Sequence, residues 1–169
     1  MDDRDAVARI KQGDIGGLEV LVHRYQRQAL RTAYLVCLDR ELAQDIAQDA
    51  FVCAYECIQQ FDSQREFAPW FLRIVANQAL MAVRRQQHVP LDEEVAEATW
   101  PDEPPSPEQL LVAAETSEAV WATLSRLAPQ QRSAIVLRYY VGLNQAEMCH
   151  VLRAPPGTIK RRLHDARRR

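Results

Sequence analysis

The fold turns on one stretch, Asn144-Gln145-Ala146-Glu147-Met148-Cys149-His150-Val151-Leu152 followed by Arg153-Ala154-Pro155-Pro156-Gly157-Thr158-Ile159-Lys160-Arg161-Arg162-Leu163-His164-Asp165-Ala166. Asn144 is placed to cap a helix, and Glu147 three residues on can return a bond to the cap's own N–H, the reciprocal pairing that starts helices. Met148, Val151 and Leu152 face inward from it. Two prolines then forbid continuation, yet a proline fits the first turn of a new helix, where its missing N–H costs nothing. A second helix therefore starts near Pro156. Along it Ile159, Leu163 and Ala166 form a narrow apolar stripe, while Thr158, Lys160, Arg161, Arg162 and His164 occupy the remaining faces. A helix held on one side and basic elsewhere fits the major groove of DNA, where Arg and Lys reach guanine edges and phosphates are met by side chains and N-terminal N–H groups. The competing reading is a basic, solvated helix on an ordinary bundle.

Charge is strongly segregated along the chain. The 169 residues carry a formal net charge of −2, but residues 1–90 hold 11 basic and 12 acidic side chains and residues 121–169 hold ten bases against Glu147 and Asp165. Between them, residues 91–120 hold nine carboxylates (Asp92, Glu93, Glu94, Glu97, Asp102, Glu103, Glu108, Glu115 and Glu118) and no base. This asymmetry implies a nucleic-acid-binding end joined through an acidic connector. No apolar run reaches the roughly 20 residues that span a bilayer, and Met1-Asp2-Asp3-Arg4-Asp5 is too acidic for a secretory leader. A cytoplasmic protein without membrane insertion is expected. Cys37, Cys53, Cys57 and Cys149 lack the paired short spacings of a zinc site or disulfide framework. Cys53 and Cys57, one helical turn apart, leave a metal or redox pair open against the alternative of burial on an apolar face.

Outside the connector the periodicity is helical throughout, which predicts an all-α protein. Val7 and Ile10 mark a first helix ending near Gly13, and a longer one from about Ile15 to Val36 buries Leu18, Leu21, Val22, Tyr25 and Ala29. A third, from about Arg40 to Gln60, turns Ile46, Ala50, Cys53, Ala54, Cys57, Ile58 and then Phe61 inward and Asp45, Gln48, Asp49, Glu56 and Gln59 outward, as either a solvated face or a dock for a basic partner. Phe61 to Glu66 reads as a loop and Pro69 opens a fourth helix. On that helix Phe71, Leu72, Val75, Ala76, Ala79, Ala82 and Val83 form the core side, while Trp70, Arg73, Asn77 and Arg84 lie opposite. An aromatic among cations is what single-stranded nucleic acid uses for stacking and backbone contact; a tryptophan packed under a neighbouring element is the alternative. His88 to about Pro107 is rich in proline and carboxylates, a linker. Leu110, Leu111, Val120, Trp121, Leu124 and Leu127 resume the helical pattern, and Pro129 starts a helix that Gly142 closes. The expected architecture is two small helical domains, residues 1–88 and 110–169, joined by an acidic, proline-rich linker over 89–109.

Taken together these runs resemble the extracytoplasmic-function (ECF) sigma factors, the short bacterial initiation factors that keep only sigma regions 2 and 4. In the first domain the resemblance rests on Leu21-Val22-His23-Arg24-Tyr25-Gln26, Asp45-Ile46-Ala47-Gln48-Asp49-Ala50-Phe51 and Trp70-Phe71-Leu72-Arg73-Ile74-Val75-Ala76-Asn77. In the second it rests on Gln131-Arg132, Leu137-Arg138-Tyr139, Gly142-Leu143-Asn144 and Pro155 through Leu163. It implies a region 2 bundle that binds the β′ coiled coil of core RNA polymerase through Asp45, Gln48 and Asp49, with Phe51 nearby. It also implies −10 promoter recognition and melting by Phe61, Asp62, Ser63 and Phe67 in the loop, with Trp70, Arg73, Asn77 and Arg84. Extruding a base costs a few kcal/mol, which stacking and base-edge hydrogen bonds must return. A region 4 helix-turn-helix is implied to read the −35 element through Arg138, Thr158, Lys160, Arg161, Arg162 and His164, and to meet the β flap of the polymerase. The linker resembles segments that run through nucleic-acid channels, where its carboxylates stand in for an RNA-like polyanion. A restraining anti-sigma factor is implied as a further partner, and no cofactor, metal or catalytic residue.

The chain departs from the family's pattern at Arg161, where a serine is common, at Asp165, where a basic residue often contacts DNA, and at Gln44, Arg153 and Cys149, and it stops earlier in the recognition helix than is usual. Two rival readings share parts of the pattern. A free-standing helix-turn-helix regulator would bind duplex DNA without polymerase, leaving the Trp70 to Asn77 face unexplained; a sigma-like helical adaptor would have no use for the basic helix. No catalytic triad, metal set or phosphate loop occurs at a usable spacing, so an enzyme is not expected.

Overall fold

The computed structural model describes residues 2–87 and 117–168. The connector expected over 89–109 lies outside the described residues, as do Leu110, Leu111 and the side chains of Val120 and Trp121. Within them every regular element is helical: α1 (Asp3–Lys11), α2 (Gly16–Cys37), α3 (Arg40–Cys57) with a 3-10 turn at Ile58–Gln60, α4 (Phe67–Gln87), α5 (Ser117–Arg126), α6 (Pro129–Ile135) continuing as a π-helical turn at Val136–Tyr140, α7 (Gln145–Leu152) and α8 (Pro156–Arg167). The all-α expectation holds. The described residues fall in two compact units, 2–34 with 39–79, and 35–38 with 80–87 and 117–168.

In the first unit α1 is started by Asp2 and Asp5, which cap each other's backbone N–H groups in the manner of a capping box. α1 crosses the start of α2 at Gly17, where a Cβ would stand 2.3 Å from the Ala6 carbonyl oxygen, so only glycine permits the approach. Val7 and Ile10 of α1, Leu21 and Ala29 of α2, Ile46, Ala50 and Ala54 of α3, and Phe71 and Val75 of α4 close the core. Phe71 is its centre, fully buried with ring centroids 4.4 Å from Phe51 and 5.5 Å from Phe67. α4 begins two residues before Pro69, whose ring occupies the first turn and breaks no hydrogen bond there.

In the second unit Leu124, Leu127, Ala134, Leu137, Leu143, Met148, Val151, Leu152, Ile159 and Leu163 are buried together. Arg132 is buried with them at 6% exposure. Its Nε and Nη2 donate to the Val36 carbonyl at 3.2 and 3.0 Å, and burial pushes its pKa down. The helix read as plain from Pro129 to Gly142 instead widens at its end. Val141 N–H donates five residues back to Val136, Gly142 takes φ +77, and Leu143 N–H reaches Leu137. The cap on α7 is as the sequence indicates: Asn144 Oδ1 accepts from Glu147 N–H at 2.9 Å and Glu147 accepts from Asn144 N–H at 2.9 Å.

Arg153 ends α7 in the left-handed region, at φ 47 and ψ 49, a position that favours glycine. Holding a side chain there costs on the order of 1 kcal/mol. Arg153→Gly is therefore expected to raise the second unit's urea midpoint, a gain of up to about 1 kcal/mol at unchanged slope; a fall in midpoint would contradict the strain.

Candidate protein and nucleic-acid interfaces

α3 is buried along one side only, so its sequence period leaves a continuous outer stripe. Asp45, Gln48 and Asp49 are exposed on it as expected, and Val52, 57% exposed, and Tyr55, 38% exposed, continue it one and two turns on. These two apolar side chains were not singled out in the sequence, though their spacing of four and seven from Gln48 puts them on its face. Gln48 also edges an open groove of about 720 Å³ between α2 and α3, whose walls include Val22, Arg27, Leu30 and Ala47. Phe51 differs from its helical neighbours: at 7% exposure it packs on Phe71, shaping the groove from beneath rather than standing on the outer stripe. Cys53 is half-buried on the same helix, its thiol pushed up by burial and then by neighbouring Cys57, which opposes thiolate chemistry.

The loop after α3 is held at its start by α1. Lys11 Nζ donates to the Phe61 carbonyl at 2.7 Å, and Gln59 Nε2 donates to the Lys11 carbonyl at 3.0 Å. Phe61 and Phe67, 4% and 2% exposed, turn inward with their rings 5.9 Å apart. They anchor the loop, leaving contact to the exposed residues between them. Asp62 folds back on the loop itself, its Oδ1 accepting from Gln64 N–H at 3.0 Å, while Ser63 stays exposed.

Trp70 is half-buried, because its ring packs at 4.8 Å on Phe61 and 5.6 Å on Phe67. Arg73 and Asn77, also half-buried, follow it at helical spacing on the same stripe of α4. An aromatic, a guanidinium and an amide are thus presented together. Arg84, seven residues beyond Asn77 on α4, has its Nη2 donating to the Leu152 carbonyl at 2.5 Å, and burial lowers its pKa.

Beside the loop lies a cleft of about 440 Å³ lined by Asp3, Arg24, Tyr25, Phe61, Ser63, Arg65, Glu66 and Phe67 among others. Tyr25 Oη donates to Asp3, which also pairs with Arg24. Burial, then that carboxylate, push the Tyr25 phenol up to about 12, so it remains protonated. The sequence placed Tyr25 in the core and missed this wall, which depends on the folding of α1 against α2.

α8 buries Ile159, Leu163 and Ala166 and exposes Lys160, Arg161 and His164 on the opposite side; Thr158 and Arg162 are half-buried at its flanks. Arg138 stands on the π-helical turn with its Nη1 donating to the Leu143 carbonyl at 3.0 Å. Tyr139 and Arg167, unassigned by sequence, pair across the turn: Arg167 donates to the phenol and its guanidinium lies 5.4 Å from the ring centroid. That contact tethers the end of α8. No helix among the described residues is long and apolar enough to cross a membrane, and no three potential metal ligands cluster among them.

Comparison with known proteins matches residues 21–89 to Sigma-70 region 2 and residues 117–169 to Sigma-70, region 4. The RNA polymerase sigma-H factor of Pseudomonas aeruginosa is 31% identical over 173 residues, covering 98% of this chain and 90% of its own length. The ECF RNA polymerase sigma factor SigW of Bacillus subtilis is 30% identical, covering 95% and 90%, and the ECF RNA polymerase sigma-E factor of Escherichia coli 29%, covering 99% and 91%. Among solved structures, CnrH in complex with the cytosolic domain of CnrY superposes with a TM-score of 0.58 at 26% identity, covering 98% of this chain and 92% of that one. The sigma factor RpoE of Bartonella quintana, in complex with the anti-sigma factor NepR, shares the fold with a TM-score of 0.54 at 19% identity, covering 89% and 91%. With both sigma regions matched in order and relatives aligned over nearly the whole length, the chain belongs to the ECF branch of the sigma-70 family, the initiation factors of bacterial RNA polymerase.

Proposed function

We propose that the chain docks on core RNA polymerase through the outer stripe of α3, melts the −10 element with the loop after α3 and the α4 stripe, and reads the −35 duplex with α8. The observation that carries this reading is the pairing, within one small unit, of two separate polar faces on adjacent helices: Asp45, Gln48, Asp49, Val52 and Tyr55 on α3, and Trp70, Arg73 and Asn77 on α4. The α3 face joins two exposed apolar side chains to a patch of carboxylates and an amide, the mixture that a protein interface uses. The α4 face has the stacking platform, cation and amide that an unstacked base needs. Residues 1–88 and 110–169 act as the two domains and 89–109 as the acidic connector, with the second domain also meeting the β flap. The protein works in the cytoplasm, beside the polymerase, and performs no catalysis itself.

An anti-sigma factor restrains it. The support is that both solved relatives named above hold a partner, described for RpoE as an anti-sigma factor, and that the groove between α2 and α3 offers a helix a seat continuous with the polymerase-docking face.

The test is footprinting of core polymerase on genomic fragments with and without the full chain. Protection centred on an upstream duplex together with permanganate-reactive thymines downstream, both dependent on the chain, is expected. Protection without polymerase, and no opening with it, would favour the free-standing regulator.

A further inference from the structure

Asp165 is a carboxylate on a helix that otherwise presents Lys160, Arg161, Arg162, Arg167 and Arg168. Its side chain is 48% exposed, and His164 Nδ1 lies 3.4 Å from its Oδ1 on the same surface. The buried stripe of Ile159, Leu163 and Ala166 fixes which way the helix faces. Opposite that stripe stand Gly157, Arg161, His164 and Arg168, with Lys160 on one side of them and Thr158 and Asp165, seven residues apart, together on the other, while Arg162 falls toward the packed flank. A groove-docked α8 therefore turns Arg161, His164 and Asp165 toward the base edges, with Thr158 on the same side as Asp165 two turns earlier, and leaves Arg162 nearer the phosphates.

A carboxylate beside phosphates is repelled, yet on the groove floor it finds a donor. The donor that suits it is the N4 amino group of cytosine. Arg161 and Asp165 are four residues apart, about 6 Å along the helix axis, and stacked base pairs are about 3.4 Å apart. Their targets are thus one to two base pairs from each other.

We propose that Asp165 is a specificity residue of the −35 interface, accepting a hydrogen bond from a cytosine amino group one to two base pairs from a guanine read by Arg161. The assignment rests on the reading of α8 as the −35 helix. It makes the element recognised by this chain differ from that of a factor with a cation at the same place, because a cation there selects a guanine and a carboxylate rejects one.

The test uses holoenzyme reconstituted from core polymerase and the full chain, selecting from promoter duplexes randomised across the −35 region. Wild type is expected to hold one position to cytosine, with any other base lowering occupancy by about tenfold or more. Asp165→Asn is expected to turn that position to adenine, since an amide bonds to N6 and N7 together, and to leave every other position unchanged. The same base chosen throughout by both proteins would overturn the proposal. So would a uniform gain in affinity confined to a changed salt slope, which marks phosphate repulsion, or a change only at the guanine, which marks Asp165 as a tether for Arg161. A wild-type holoenzyme that opens promoters with no −35 preference at all would remove the underlying role of α8 instead.

Discussion

Phe71→Ala is expected to destabilise the first unit by about 3–5 kcal/mol, the cost of emptying a fully buried aromatic site that cannot collapse. Phe71 contacts Phe51 beneath the α3 groove and Phe67 at the end of the loop, with Tyr25 beyond at 6.3 Å between centroids. Its removal therefore loosens the groove, the loop and the cleft together. Small domains hold only about 5–15 kcal/mol in total, so much of the unit unfolds at working temperature. Urea denaturation checks this through a large fall in midpoint. A loss below about 1 kcal/mol would show that the cluster is not the scaffold of these faces.

Asn77→Ala leaves the fold intact, because Asn77 is half-buried and outside the aromatic cluster. Its expected effect falls on promoter opening. One base-edge hydrogen bond lost from the pocket is worth about 1–3 kcal/mol, which lowers open-complex yield by roughly 5- to 150-fold. Affinity for core polymerase is expected to stay unchanged, since the α3 stripe is untouched. Permanganate footprinting checks the first and co-purification the second. Equal open-complex yields would take Asn77 out of the pocket; weakened polymerase binding would mean that the two faces are not independent.

Local signals carried most of the fold. The Asn144 and Glu147 cap, the Pro155-Pro156 break and the apolar period of α8 act within a few residues of one another, and each is formed in the structure as read. Arg153, noted as standing where glycine is common, does take the left-handed conformation that explains the preference. Angular position alone put Asp45, Gln48 and Asp49 outside, and they are exposed. What the sequence hid depends on contacts distant along the chain. Trp70 lies opposite the core stripe of α4 by angle, yet it is half-buried because Phe61 and Phe67 fold back over it. Phe61 ends the apolar period of the third helix and is buried as that period indicates, whereas Phe67, beyond the polar loop, gave no such sign. Arg84 has the residue type of a DNA contact, and the bond from its Nη2 to the Leu152 carbonyl, 68 residues away, is one that no local pattern reveals. Tyr25 is drawn toward Asp3, 22 residues earlier, which no helical period reveals.

Every role proposed for the chain depends on α3 docking on core RNA polymerase. That docking is tested most directly by co-purification with bacterial core RNA polymerase, comparing wild type with Asp45→Arg/Asp49→Arg. Both carboxylates are exposed, so the double variant is expected to fold normally, with an unchanged urea midpoint. Wild type is expected to elute with the polymerase and the variant to elute alone, a loss of at least about 100-fold in affinity from opposing like charges across the interface. Equal retention of both proteins, or none by folded wild type freed of any inhibitor, would contradict the account.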